Sequence, residues 1–270
     1  MYKRQINGYT TGQVTLTSVA DTVANITSSA DYAFSVHVAD IDNDGDVDFI
    51  VGNIGFNTKY KASQSDPELL YYGDFEGNGQ KNIVEAKFEQ NVCLPRRGLS
   101  CSSNAMPTVK EKFPTYHQFA ISSVEDIYTE ALLSSADKYV ANELASGILI
   151  NNTDLNGDIS FEFRALPRIV QSSPIFGSTL CDVNGDGYLD LYVVQNFSGP
   201  QRETGYMHGG LSQLLLGDGS GSFTPIPSNK SGLIVRGDAT SLTTADLNLS
   251  LIHISEPTRL RRISYAVFCL

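Results

Sequence analysis

The sequence predicts an all-β protein built from repeated strand–loop–strand units, with a small helical insertion. Two nine-residue loops carry this prediction, at 40–48 and 182–190, and both read D-x-[DN]-x-D-G-x-x-D. Each loop runs directly into an apolar segment, residues 49–51 after the first loop and 191–194 after the second. Short acidic loops with an apolar strand on either side favour an antiparallel sheet over a helical bundle.

The two loops have the residue pattern of a site for a hard cation, and the predicted ion is calcium, Ca²⁺. Oxygen ligands at positions 1, 3, 5 and 9, a backbone carbonyl at position 7 and a glycine at position 6 can fold around one such ion. The candidate ligands are Asp40, Asp42, Asp44, Asp46 and Asp48 in the first loop, and Asp182, Asn184, Asp186, Tyr188 and Asp190 in the second. With more carboxylates, the first loop is expected to bind more tightly.

The alternative is a metal-free polar turn, which Asp, Asn and Gly also form readily. That alternative leaves the carboxylates unexplained, because two of them about 4 Å apart repel by roughly 4 kcal/mol at an effective dielectric near 20. The loops are not EF-hands. An EF-hand needs a bidentate glutamate at position 12, where these loops have Val51 and Val193.

A third loop at 74–82 is a degenerate copy of the same pattern. It keeps the glycine at position 6 but offers two carboxylates, and its candidate ligands are Asp74, Glu76, Asn78 and Asn82. A weak metal site and a metal-free turn are both open for it. A fourth copy begins at 245–248 and does not continue.

Two other segments are typical of outer hairpins, at 147–163 and 214–224, each with a glycine-containing turn. Residues 91–145 interrupt the β pattern and are predicted to be a helical insertion. Within it, Ser122 or Ser123 precedes an acidic first turn in a capping-box arrangement. The apolar residues that follow recur at helical spacing.

Composition narrows the class of partner. The formal charge of −11 argues against nucleic acid, and no apolar run is long enough to predict a membrane span. Cys93 and Cys101 lie in a loop-like segment, where a disulfide and two free thiols are both open.

The two ends of the chain do not read as protein. Residues 249–259 resemble the translation of a transposase-type sequencing adapter, and residues 263–270 resemble its continuation. Residues 2–5 resemble the reverse end of the same adapter. We therefore expect 1–5 and 249–270 to be adapter-derived, and treat 6–248 as the part that folds.

Beyond its loops, the chain resembles the FG-GAP/VCBS repeat proteins, and within them the bacterial relatives of the cartilage acidic protein (ASPIC/UnbV-type) group. The segments that carry the resemblance are 55–63, 70–79, 112–116, 144–147 and 201–205. The resemblance implies a β-propeller of four-stranded antiparallel blades with calcium loops. Because the sequence that reads as protein ends near residue 248, we expect this propeller to be partial and open. It also implies an exported protein, extracellular or displayed at the cell surface.

No catalytic motif is visible. His37, His117 and His208 stand outside any metalloprotease or nucleophile-elbow context, so no enzymatic activity is expected. The favoured function is a calcium-binding adhesion module for a protein or glycan ligand. The alternative is a secreted polysaccharide-active enzyme on the same scaffold. The tripeptide at 236–238, Arg-Gly-Asp, is expected to be a chance match to the tripeptide that integrins bind.

Overall fold

In a computed structural model, the chain is described at residues 34–153, 160–200 and 204–243, and as backbone at 254–255 and 266–267. The described part is mostly β. It forms three four-stranded antiparallel sheets and one isolated two-stranded ladder, and no closed barrel. The predicted class of four-stranded antiparallel sheets with few helices is therefore confirmed.

Sheets I and III have the same strand order. Sheet I contains β1 (Ser35–Ala39), β2 (Asp48–Gly52), β7 (Gly147–Asn151) and β8 (Phe161–Ala165), adjacent in that order. Sheet III contains β9 (Ile175–Cys181), β10 (Asp190–Gln195), β11 (Gln213–Gly217) and β12 (Phe223–Ile226), also in chain order. The predicted outer hairpins are the β7–β8 and β11–β12 pairs.

Sheet II lies in the chain between the second and third strands of sheet I. Its strands are β3 (Glu68–Gly73), β4 (Asn82–Glu89), β5 (Val92–Pro95) and β6 (Asp137–Ala141), in the spatial order β5-β4-β3-β6. Five short helices connect β5 to β6: α1 (Leu99–Ala105), α2 (Thr108–Lys112), α3 (Tyr116–Ala120), α4 (Val124–Tyr128) and α5 (Glu130–Ser135). A further turn of helix, α6 (Ser228–Ser231), follows β12.

Helices α1 to α5 lie within the predicted insertion at 91–145, but the interruption of sheet I is longer than that prediction. It also includes β3 and β4, because β6 returns to pair with β3 over five residues and so closes a separate sheet. The predicted capping box is present at α4, where Ser123 and Asp126 exchange hydrogen bonds. Thr129, at φ 64°, then separates α4 from α5.

Sheets I and III share one hydrophobic core. Ile50 and Ile150 of sheet I are fully buried and belong to the same cluster as Leu191, Val193 and Leu215 of sheet III. The first strands of the two sheets begin side by side, with the rings of Phe34 and Phe176 4.6 Å apart. Both strands therefore run toward their acidic loops at one end of the sheet pair, which we call the acidic end.

Sheet II has its own core with the helices. Tyr71 and Val84 from the sheet are buried against Met106, Phe119 and Val124 from the helices. This cluster shares no buried residue with the core of sheets I and III. The insertion is therefore held together mainly by its own helices and strands.

Cys93, Cys101 and Cys181 are free thiols. In the predicted adapter-derived tail, the described residues are β13 (Ile254–Ser255) and β14 (Ala266–Val267), which pair only with each other. Residues 1–5 lie outside the described residues. No helix of the described part is long and apolar enough to cross a bilayer.

Candidate functional site

The three predicted loops share one backbone conformation. Position 4 has a positive φ in each, at Asn43 (62°), Gly185 (77°) and Gly77 (69°). Position 6 is glycine in each, and at Gly45 and Gly187 φ reaches 96° and 89°. Residues other than glycine rarely adopt such φ values. The repeated glycine therefore turns the chain so that the carboxylates of one loop face one another.

Position 9 fixes each of the first two loops to its sheet. Asp48 and Asp190 are both 0% exposed. Asp48 accepts hydrogen bonds from the backbone N–H of Ile41 (2.8 Å), within the loop, and of Asn151 (2.8 Å), at the end of β7. Asp190 accepts the equivalent bonds from Val183 (2.9 Å) and Gly217 (2.9 Å). A buried carboxylate thus joins the loop to the third strand in both sheets.

The first loop brings three carboxylates together. Oxygens of Asp40, Asp42 and Asp48 all lie within 4.8 Å of one another. The Oδ1 atoms of Asp40 and Asp42 are buried and accept no hydrogen bond. Buried carboxylate oxygens without a partner are costly to leave unsatisfied. These atoms fit a cation such as calcium, whose ligands are carboxylate oxygens.

The electrostatics of the first loop point the same way. Burial raises the pKa of Asp42 above its ordinary value, and the neighbouring charges of Asp48, Asp44 and Asp40 raise it further. The carboxylates therefore repel one another when no cation lies among them. Asp44 and Asp46 are exposed, and the Asp46 N–H donates to Asp44 Oδ1 at 2.8 Å.

The second loop satisfies its side chains internally. Both oxygens of Asp182 accept backbone N–H groups, from Gly185 (2.7 Å), Asp186 (3.3 Å) and Gly187 (2.9 Å). These bonds lower the pKa of Asp182. The Asn184 amide donates to Asp186 Oδ2 at 2.8 Å. Each Asp182 oxygen therefore already accepts at least one hydrogen bond, whereas Asp40 Oδ1 and Asp42 Oδ1 accept none.

Tyr188 is the residue whose backbone carbonyl is predicted to face a metal in the second loop. Its own N–H donates to Asp186 Oδ1 at 2.9 Å, and its ring is partly exposed. At the base of the loop, burial raises the pKa of Asp190, and hydrogen bonds from Val183 and Gly217 oppose that shift. The second loop therefore has a buried carboxylate at position 9 like the first, but no comparable group of unsatisfied oxygens.

In the third loop, as in the second, the first aspartate accepts backbone N–H groups of its own loop. The third loop also contacts the helices of the insertion. Asp74 accepts four backbone N–H groups, the shortest bond coming from Gly79 at 2.7 Å. Glu76 Oε1 accepts the N–H (3.1 Å) and hydroxyl (3.0 Å) of Thr108, at the start of α2. Asn78 donates to Glu76 Oε2, and Asn82 at position 9 donates to the carbonyl of Gln80. Glu76 thus anchors a helix.

The opposite end of the sheets carries a buried polar layer that the sequence analysis missed. Its members are Asn53, Ser146, Gln171, Ser173, Gln195 and Asn196, all at most 3% exposed. Gln171 accepts the N–H of Ser146 and donates to the carbonyls of Ser146 and Leu166. Gln195 donates to the carbonyls of Val170 and Ser173. We call this the polar end.

The remaining predicted residues are placed as follows. His37 lies in β1, and burial lowers its pKa. His117 lies in α3, and His208 lies in the loop between β10 and β11. Asp238 accepts the N–H of Ser198 at 2.8 Å and lies 3.2 Å from His208 Nε2. Its carboxylate is therefore engaged within the protein. The partial loop at 245–248 lies outside the described residues.

Comparison with known proteins yields one finding. An FG-GAP-like repeat spans residues 182–249, from the first residue of the second acidic loop through β10 to β12 and beyond. No curated protein matches the chain. No solved structure matches it either.

Proposed function

We propose that the protein is a calcium-binding module of β-propeller type that acts outside the cell by binding a protein or glycan. One observation carries the calcium proposal. The first loop holds two buried carboxylate oxygens, on Asp40 and Asp42, that accept no hydrogen bond and lie beside the buried Asp48. A divalent cation would satisfy both oxygens and offset the mutual repulsion of the carboxylates.

The arrangement of sheets I and III supports the propeller part of the proposal. Both are four-stranded, both follow chain order, and their first strands lie side by side. Sheet III is apolar on both faces: Leu191 and Val193 face sheet I, and Tyr192 and Val194 pack against Val235. Sheets that stack around a central axis need two apolar faces each. The FG-GAP-like repeat at 182–249 agrees with such a blade.

The chain would hold calcium mainly through the first loop. Asp40, Asp42, Asp44 and Asp48 would offer carboxylate oxygens, and Asp46 its carbonyl. The ion would supply positive charge that fixes the loop, and through Asp48 the fixed loop would hold the ends of β1, β2 and β7 together. The second loop would bind more weakly, because it offers three carboxylates against four and because both Asp182 oxygens already accept backbone N–H groups.

The test is thermal unfolding of the 270-residue protein with calcium and with chelator. Calcium at 100 times its dissociation constant should stabilise the folded state by about 2.7 kcal/mol. Asp42→Asn should remove most of this effect. Asp46→Asn is the matched control, because Asp46 would act through its carbonyl, and it should respond like the unaltered protein.

An unfolding temperature that is the same in calcium and in chelator would contradict the calcium proposal. An equal loss of response in Asp42→Asn and Asp46→Asn would also count against it, since the effect would then follow net charge and not ligand position.

We propose a binding role and not catalysis, because the clustered carboxylates of the acidic end are assigned to the proposed calcium sites. At the polar end, the buried and hydrogen-bonded polar layer holds the bases of the loops in place. Loops on such a foundation suit recognition, because binding residues are commonly held on loops that a rigid scaffold positions.

A further inference from the structure

The loops at the polar end of sheet III are organised by one strained, buried residue. Asn196 follows β10, is 0% exposed and has a φ of 85°. A non-glycine residue at such a φ is strained, and strain of this kind clusters at ligand sites. The Asn196 side chain makes five hydrogen bonds to surrounding segments. These bonds hold Asn196 in its strained conformation and also fix the positions of those segments.

Those bonds connect three segments. The Asn196 carbonyl oxygen Oδ1 accepts from Ser173 Oγ (3.0 Å) and Gly210 N (3.0 Å). Its amide donates to the carbonyls of Gly210 (2.9 Å), Gly237 (3.3 Å) and Arg236 (3.4 Å). The β10–β11 loop and the segment after α6 therefore form one fixed unit.

The same unit presents an aromatic pair to solvent. Phe197 and Met207 form a β-bridge with two hydrogen bonds of 3.0 Å, and Met207 is buried. On either side of Met207, Tyr206 and His208 project outward with their rings stacked, 5.6 Å apart at 14°. Tyr206 is 74% exposed. So exposed a ring contributes little to folding, although its backbone is held firmly.

Polar groups surround the aromatic pair. His208 Nε2 lies 2.7 Å from Ser198 Oγ and 3.2 Å from Asp238 Oδ1. The backbone N–H of Ser198 holds Asp238 Oδ2 at 2.8 Å. Both contacts of the imidazole use the same nitrogen, whereas a catalytic triad uses one ring nitrogen for serine and the other for aspartate. The cluster therefore has the composition of a triad without its geometry.

The combination fits a sugar ring. A flat, electron-rich aromatic face attracts the C–H groups of a sugar, and hydroxyl and imidazole groups can both donate to and accept from sugar hydroxyls. One histidine beside one aspartate carries no positive excess that would favour a phosphate or another anion. Resting on the proposed role as a binding module, we propose that Tyr206, His208 and Ser198 form a subsite for one residue of a neutral glycan, with Asp238 holding His208 in place.

The experiment uses the 270-residue protein and four probes: the hexasaccharides of glucose, mannose, xylose and N-acetylglucosamine. Saturation-transfer NMR detects binding, and calorimetry measures affinity. At least one hexasaccharide should bind. Tyr206→Ala should weaken that binding about tenfold, equivalent to about 1.4 kcal/mol for loss of the stacked face. Tyr206→Phe keeps the face and should stay within about threefold.

Tyr116→Ala is the matched control, because Tyr116 is also highly exposed, at 70%, but lies in α3. It should bind as the unaltered protein does. Binding that Tyr206→Ala leaves unchanged, or Tyr116→Ala reduces equally, would overturn the proposal. So would recognition of a protein ligand through Tyr206 with none of the four hexasaccharides bound.

Calcium binding is measured on the same samples, so that the two proposals can fail separately. Calcium binding without hexasaccharide binding would overturn the glycan subsite and leave the calcium proposal intact. Hexasaccharide binding that depends on Tyr206, in a protein that does not respond to calcium, would support the glycan subsite and contradict the calcium proposal.

Discussion

Asp48 and Asp190 occupy the same place in sheets I and III. Each is fully buried, and each accepts one backbone N–H from position 2 of its own loop and one from the last residue of the third strand in its sheet. Because the same geometry occurs in both sheets, position 9 has a structural role that does not require metal. The last aspartate of the pattern joins three strands whether or not the loop holds calcium.

The first prediction concerns this joining role. Asp48→Ala removes the acceptor of two N–H groups, that of Ile41, which is buried, and that of Asn151, which is partly buried. A fully buried N–H group without an acceptor costs about 1–3 kcal/mol, and a partly buried one costs less. The free energy of unfolding in chelator should therefore fall by about 2–5 kcal/mol, measured by denaturant titration. Asp46→Ala, in the exposed part of the loop, should change it by about 0.5 kcal/mol or less. Equal effects of the two substitutions would show that position 9 does not join the strands.

The second prediction concerns the shared core. Ile150 in β7 is fully buried in the cluster that also contains Leu191 and Leu215 of sheet III. Ile150→Ala should lower the free energy of unfolding by about 2–5 kcal/mol. Val36→Ala, in the same sheet but at a 59% exposed position, should cost about 0.5 kcal/mol or less. A small effect at Ile150 would mean that sheets I and III do not pack together.

The third prediction concerns pH and the capping box of α4. Hydrogen bonds from the Ser123 hydroxyl and then its N–H lower the pKa of Asp126 in the folded protein. A lowered folded pKa stabilises the protein above the unfolded value, near 3.9, and this contribution is lost as pH falls through the folded pKa. Asp126→Asn should therefore be less stable than the unaltered protein at neutral pH, with the difference shrinking below about pH 4.

Ser123→Ala checks the cause of that pH dependence. Loss of the cap should cost about 1 kcal/mol at neutral pH. It should also reduce the extra loss of stability on acidification, because Asp126 then loses its strongest hydrogen-bond donor. If the difference between Asp126→Asn and the unaltered protein stays constant from pH 7 to pH 3, the capping box does not set the pKa.

The fourth prediction concerns catalysis. His208 contacts Ser198 and Asp238 through a single nitrogen, so Asp238 does not orient the ring through the nitrogen opposite the serine, as the aspartate of a triad does. We expect a hexasaccharide incubated with the protein to remain uncleaved, as followed by mass spectrometry. Cleavage that disappears in His208→Ala would contradict this expectation and favour the polysaccharide-active alternative.

Local patterns predicted the local structure well. The acidic loops, the apolar segments after them, the two outer hairpins and the capping box at Ser123 all depend on residues within about ten positions of one another. Each is found where its pattern predicted it.

Long-range pairing was harder to predict. Nothing near β5 or β6 indicates that β6 pairs with β3 and leaves β3 and β4 in the middle of sheet II. The buried polar layer gave no local signal either, because Gln171 and Asn196 look like surface residues until their distant partners are known. The difference between the first two acidic loops also gave no local signal. It depends on which carboxylate oxygens accept backbone N–H groups in the folded loop, and the two sequences are nearly the same.

Calcium binding is tested most directly by diffraction from crystals grown with calcium, using the anomalous signal to locate the ion. We predict a peak in the first loop, within about 2.3–2.6 Å of oxygens from Asp40, Asp42 and Asp48, and a weaker peak or none in the second. Well-ordered loops with no peak at saturating calcium would contradict it. So would a peak confined to the second loop.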